Sequence, residues 1–495
     1  TKQHPRLQGT DFGVIREKIE TDPFCAALYQ GVKNRADVLL TQPAFSYKVA
    51  DLEKNGHSRV IPSASIVPIF YTLALVTEIE NDNRYLEKLW QEAEAAINLP
   101  NWNTGHWLDT AQMIQSVSIA YDWCYHRWTD EQREALENAI KTHGLEQSVR
   151  EYEGSPRWYQ WHTSFTGEIM ENNWNMVCNN GVIFGAIALG DVEPELCGTL
   201  LNNAVRSISD GLLEWAPDGG YPEGTAYWRF ALTNLIAGTS AIEAAFGGFD
   251  GLPELEEPHH YDFLQSPGVG DAGDYAMYLR GAIGNVNYGD TTVGHSNSSA
   301  MVYLASRLNK PEYLVHFMDI LKDPATSKPM ERSDDLVQAL LYYKPMDLAT
   351  EDVSLDKNFE LGVSTMRNTW SRNDDLVFVS MKAGYNRGPH QHWDMGAFAI
   401  DALGERWIKL PGAGNYDWPS YMSGAMYYIR RPEGNNTIVI NPDDTMGQTK
   451  ESEKTPLINK GSSTDEGYFV YDLSPVYVEY AESVKRGIKI FDDRS

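Results

Sequence analysis

Residues 129–144, TDEQREALENAIKTHG, carry a helix start, one apolar face and a helix stop in a single run. The Thr129 hydroxyl can cap the helix, with Gln132 three residues on as its reciprocal partner. Ala135, Leu136, Ala139 and Ile140 share a face, and Gly144 is placed to end the element. Upstream, Tyr85, Leu86, Leu89, Ala93, Ala96 and Ile97 repeat the pattern across Arg84–Leu99. The run Ile66–Val76 is too short to span a bilayer and contains Pro68, so it reads as a buried helix and no membrane span is expected. Similar spacing, broken by short Gly, Pro and Asn interruptions, continues to about residue 345 and predicts helical hairpins packed side by side.

Beyond about residue 350 the pattern changes to short β-rich runs: Leu376–Met381, Ala397–Leu403, Arg406–Lys409, Asn436–Ile440, Tyr468–Tyr471 and Val476–Tyr480. Between Tyr343 and Asn358, Lys344-Pro345 and the acidic Glu351-Asp352 read as a linker. The expected organisation is a helical domain over 1–345 and a β-sandwich over 346–495. Gly487–Phe491 reads as a strand lacking its next partner, so the sandwich is expected to continue in a longer parent chain.

The 495 residues include 14 Trp and 27 Tyr, and the apolar fraction is 42%. That describes a globular chain, and aromatic rings suit the C–H faces of sugars as well as a core. Lys and Arg total 41 against 69 Asp and Glu, a formal charge of −28 that argues against nucleic acid as a partner. A polyanionic ligand would need local basic groups, for which Arg157, Arg387, Lys409, Arg430 and Arg431 are candidates. Cys25, Cys124, Cys178 and Cys197 are too scattered for a disulfide framework and read as core thiols. No Ser nucleophile elbow, P-loop or dinucleotide fingerprint stands out.

Three segments hold chemistry-bearing residues. In the first, Asn172, Asn173 and Asn175 surround Trp174 at the start of an apolar helical run, where amide donors and a helix N-terminus can hold a carboxylate; ordinary capping is the alternative. The second, 218–228, contains Glu223 and Tyr227 four apart, on one side of a helix if it begins near Pro222; a Gly-rich turn with a core Tyr is the alternative. In the third, His390, His392 and Asp394 would share one face of a strand, which suits a general base or a metal; a solvated His-rich loop is the alternative.

In these segments, together with Leu108–Ala111, Tyr121–Trp123, Tyr288-Gly289-Asp290 and the stretch from His390 to Tyr416, the chain resembles the heparinase II/III-like polysaccharide lyases. The resemblance implies an incomplete (α/α) toroid followed by an antiparallel β-sandwich, with an anionic polysaccharide held between them. It implies β-elimination: Asn173 neutralises the uronate carboxylate, Tyr227 transfers protons, and His390 comes from the sandwich. Asn172, Trp174, Asn175, Glu223, Arg387 and His392 are the expected substrate-binding residues. A phenol titrates near about 10, so Arg387 or His390 is expected to assist Tyr227.

Two departures qualify the resemblance. Some relatives carry a second His where Trp174 stands. Metal-binding relatives use three positions that here look like His392, Leu410 and Asn435, so no metal or other cofactor is expected to be required, with a divalent ion near His392 and Asp394 as the alternative. A glycosaminoglycan is favoured slightly over alginate. A non-catalytic glycan-binding protein and a glucuronyl hydrolase using Glu223 and Asp218 are the competing readings. Export, secreted or periplasmic, follows from the implied function alone.

Overall fold

The computed structural model describes residues 3–9, 11–46, 63–154, 161, 172–322, 333–349, 353–384, 386, 389–414, 428–442, 447–448 and 454–494. Helices fill the first part: α1 (Phe12–Thr21), α2 (Pro23–Leu39), α3 (Ser63–Glu80), α4 (Asn83–Ile97), α5 (Trp107–Trp123), α6 (Asp130–Ala139), α7 (Glu146–Glu153), α8 (Asn173–Ala188), α9 (Pro194–Gly211), α10 (Thr225–Phe246), α11 (Ala272–Tyr278), α12 (Ser299–Leu308), α13 (Pro311–Lys322) and α14 (Ser333–Tyr342). Helices α3, α5, α8, α10, α12 and α14 contact one another in that order, and α14 returns to α3. The inner helices are buried all round: every residue of α5 is buried, as is nearly all of α8. The amphipathic α4 and α9 lie outside them, against α3 and α8.

The expected capping box is present, with the Thr129 hydroxyl accepting from the Gln132 N–H. Gly144 does not end the element. After α6 the chain continues through a π-helical turn, Ile140–Leu145, into α7. A Cβ at Gly144 would meet Ile114 Cγ1 at 2.6 Å, so this glycine serves the packing of α5 rather than a stop. The Ile66–Val76 run lies inside α3, and the four cysteines are buried free thiols. Among the described residues no helix is long and apolar enough to cross a membrane.

The second part is antiparallel β. Strands β1 (Asp356–Phe359), β2 (Val363–Arg367), β3 (Phe378–Lys382), β4 (Phe398–Ala402) and β5 (Glu405–Ile408) form a meander. A second sheet holds β6 (Leu457–Ser462), β7 (Gly467–Asp472) and β8 (Lys485–Ile490). The first sheet is a middle layer. Val363, Phe378 and Ala399 join the helical core, while Met366, Val379 and Met381 pack with Phe469 and Tyr471 of the second sheet. Burial on both faces explains why β2 has no polar alternation to read. Two expected strands are absent: Asn436–Ile440 is irregular, and Val476–Tyr480 runs from the last residue of a 3₁₀ turn into further turns.

A buried ion pair fastens the middle sheet to the helical part. Arg406 donates to both oxygens of Asp401 and to the carbonyls of Gly284 and Asn285, and Asp401 also accepts from the Ala282 N–H.

Candidate active site

Helix α8 begins one residue earlier than a capping role for Asn173 requires. Asn172 is the cap, accepting from the Trp174 N–H at 2.9 Å. Asn173, at the first helical position, therefore has its own backbone N–H and side chain available for another carboxylate. Its N–H donates to Glu223 Oε1 at 2.5 Å and its amide donates to Glu223 Oε2 at 2.9 Å. A buried anion at a helix N-terminus, met by two donors from one residue, is the arrangement the helix dipole favours.

Glu223 does not share a helix face with Tyr227, contrary to the sequence expectation. The helix starts at Thr225, after Gly224 in the left-handed region at φ 84°. A Cβ on Gly224 would meet Thr291 Oγ1 at 2.6 Å, so close approach as well as conformation selects glycine. The turn leaves Glu223 buried beneath the helix start, where it also accepts from the Tyr221 hydroxyl at 2.8 Å. Burial pushes its carboxyl above the usual range, against the opposing pull of His390, Tyr221 and Asn173.

His390 completes the cluster. It lies in a turn at φ 62°, well before β4, so His390, His392 and Asp394 do not line one strand face. Its Nε2 is 3.4 Å from Glu223 Oε2 and its Nδ1 is 3.2 Å from Asp290 Oδ2. The ring stacks on Tyr227 with centroids 3.7 Å apart and planes 12° from parallel. Asn173, Tyr227 and His390, from three distant segments, thus converge on one another through Glu223 and this stack. A pocket of about 20 Å³ adjoins them, lined by Glu223, Tyr288, Lys382 and His390 among others.

Asp290 was not singled out as a site residue by the sequence. Its Oδ1 meets His392 Nε2 at 2.7 Å, and its backbone N–H donates to the His390 carbonyl at 2.9 Å. The approach is possible because Gly289 has no side chain; a Cβ there would meet that carbonyl at 2.4 Å. Gln391 ties the same turn to the Pro222 carbonyl, and Arg430 donates to the Gln391 carbonyl.

The expected substrate-binding residues divide. Glu223 is at the centre, and Asn172 and Trp174 flank it, with Trp174 edge-on to His106. Asn175 and His392 are buried and bonded within the protein. Asn175 is fully buried and donates to the Trp161 and Ser207 carbonyls, tying α8 to α9; His392 is 1% exposed and braces Asp290 from behind. Arg387, Arg157 and Tyr416 lie outside the described residues.

The divalent-ion alternative at His392 and Asp394 does not fit. Asp394 pairs with the buried Lys382 ammonium, which already supplies a cation, and His392 Nε2 is engaged by Asp290. Leu410 packs in the core, and Asn435 donates to the carbonyls of Ile429 and Arg431. Among the described residues, no group of three or more His, Cys, Asp and Glu is placed to hold a metal.

No protein-family model matches the chain, and no curated protein matches it in sequence. Solved structures do match. A crystal structure of heparinase III superposes with a TM-score of 0.56 at 14% identity, covering 85% of this chain and 60% of that one. A mutant heparan sulfate lyase HepC from Pedobacter heparinus gives 0.55 at 13%, covering 93% and 67%. The HepC structure without that designation gives 0.52 at 13%, covering 97% and 72%. The chain thus spans about three fifths of the length of the heparinase III structure. This chain has the fold of the heparinase II/III-like polysaccharide lyases.

Proposed function

We propose that this protein is a polysaccharide lyase that cleaves uronic-acid-containing glycans by β-elimination, with Asn173, Tyr227 and His390 at the chemical centre. The observation that carries the reading is the Tyr227–His390 stack set beside the Asn173–Glu223 pair. An Asn amide has two N–H donors. One of Asn173's is given to Glu223, and the other is assigned to the substrate carboxylate, where it helps most as charge builds in the enolate-like transition state.

With that charge stabilised, the C5 proton passes to a base, its electron pair forms the C4–C5 double bond, and the C4–O4 bond breaks with a proton delivered to O4. Tyr227, half-buried and stacked on His390, is the group assigned to proton transfer. His390 is held in place through Asp290 and Glu223. Asp218, needed by the glucuronyl hydrolase reading, instead accepts from the Glu360 N–H on the sheet side. The matched structures are of a heparinase III and a heparan sulfate lyase, which favours a glycosaminoglycan substrate for this chain and, with it, export.

Incubation with chondroitin, hyaluronan, heparan, heparin and alginate, read by ultraviolet absorbance of the unsaturated uronate, tests the reading. Absorbance should rise with at least one uronate glycan. Cleavage without an absorbing product would favour hydrolysis, and binding without cleavage would favour a glycan-binding protein.

A further inference from the structure

A larger pocket, of about 80 Å³, lies further along the junction of helices and middle sheet. It is several times the roughly 10–15 Å³ that one water needs. Val363 and Arg367 both point from β2 towards the helices; Val363 lines the pocket beside His390 and Arg367 lines this one, four residues away. At about 3.3 Å per residue the two are roughly 13 Å apart. The larger pocket is therefore a separate place, and the reading of the active site does not require it.

Its chemistry is unusual for a chain of formal charge −28. Arg280, Arg367 and Arg372 line it together with His316, against the carboxylates of Glu312 and Asp319. Arg280 and Arg367 are each more than nine-tenths buried. Arg280 Nε donates to His295, and an Arg372 terminal N–H donates to the Ala282 carbonyl. Arg367 donates to the carbonyls of Tyr278 and Arg280, while Trp370 and Phe378 lie against its guanidinium at 4.0 and 5.1 Å. Its Nε has no hydrogen-bond partner among the described residues. A buried donor left without an acceptor is costly, and an ionised acceptor in the pocket would satisfy it. Burial pushes the Arg367 guanidinium down to about 9, with the Arg372 charge acting in the same direction. It remains charged at neutral pH, and burial, joined by the charges of Arg280 and Arg372, holds His316 well below its usual value. Positive charge is therefore concentrated here at a cost that a bound anion would relieve.

We propose that the pocket formed by Arg280, Arg367 and Arg372 binds an oxyanion, a sulfate or carboxylate group, either free or carried on a glycan. Arg367, with Trp370 and Phe378 against its guanidinium, supplies one set of donors, and the half-buried Arg372 supplies a second guanidinium from the loop between β2 and β3.

Inorganic sulfate is the first probe, titrated against chloride at matched ionic strength on the whole chain and read by thermal unfolding and calorimetry. Saturable stabilisation by sulfate over chloride is expected. Arg372→Gln should weaken it about tenfold or more, as loss of a charge-assisted hydrogen bond implies. Arg372→Lys, which keeps the charge, should weaken it less and controls for misfolding, as does an unchanged circular dichroism spectrum. Tyr227→Phe should leave the sulfate effect intact. Binding of a sulfated uronate oligosaccharide to Tyr227→Phe then separates the sources. Weakening by Arg372→Gln would assign the site to a glycan-borne group, and no change would assign it to a free oxyanion. Equal effects of sulfate and chloride, or a sulfate effect that survives Arg372→Gln in a folded variant, would overturn the proposal.

Discussion

Asn173 stands one residue inside its helix, and that offset separates two roles that the sequence alone leaves entangled. Asn172 caps, so Asn173→Ala removes no cap; it removes the amide donated to the buried Glu223 carboxylate. Asn173→Ala should lower turnover by about 10²–10³ and also cost about 1.5–3 kcal/mol for the lost bond to a charged group. Kinetics and denaturation on one variant check both, and intact turnover would remove Asn173 from the chemistry. Glu223 yields a pH prediction. A carboxyl raised in the folded state contributes stability that is complete below its unfolded value, about 4.3, and lost as pH rises through the folded value. Glu223→Gln removes that loss, so its melting temperature should gain on wild type as pH rises from about 4 towards 7. A difference that does not vary with pH would contradict the raised carboxyl. Asn173, Tyr227, His390 and Glu223 were legible because amide, phenol, imidazole and carboxylate stand in short polar motifs. Asp290 was not, since nothing in local spacing reveals that residue 290 meets both 390 and 392.

Among the elements, the amphipathic α4 was legible to within a residue or two, and the start of α6 was legible from its capping box. Glycines misled. Gly144 reads as a stop but is a contact, and Gly181 in α8 is another: a Cβ there would meet the Ala111 carbonyl oxygen at 2.4 Å and its Cα at 2.7 Å. Gly181→Ala should therefore force α5 and α8 apart and cost about 1–3 kcal/mol. Gly198→Ala, on the exposed side of α9 with nothing within 4 Å, should instead stabilise by about 0.5–1 kcal/mol. Urea denaturation of the two variants checks the contrast, and equal effects would contradict the close approach. Strands β1, β2 and β6 escaped the sequence reading for different reasons. β2 is buried on both faces, while the polar β1 and β6 take their stability from the strands beside them.

Over the whole molecule, the change from helix to strand was legible as a change of period, but the middle sheet's attachment to the helices was not. Arg406 and Asp401, charged residues on adjacent strands, are both buried and bonded across the junction. Arg406→Ala should cost about 3–5 kcal/mol by leaving Asp401 buried and uncompensated. Loss of less than about 1 kcal/mol, within the range of an exposed pair, would contradict the junction described. The same junction brings His390 from the sheet side onto Tyr227 from the helical side, where the proposed elimination takes place. Its most direct test is the product of wild type and Tyr227→Phe on the best uronate glycan, followed by ultraviolet absorbance and by mass spectrometry in ¹⁸O-labelled water. Elimination predicts absorbing chain ends one water lighter than hydrolysis products, no label incorporated, and a rate about 10²–10⁴ lower in Tyr227→Phe. Labelled, non-absorbing ends, or a Tyr227→Phe variant that keeps more than about half the wild-type rate, would contradict it.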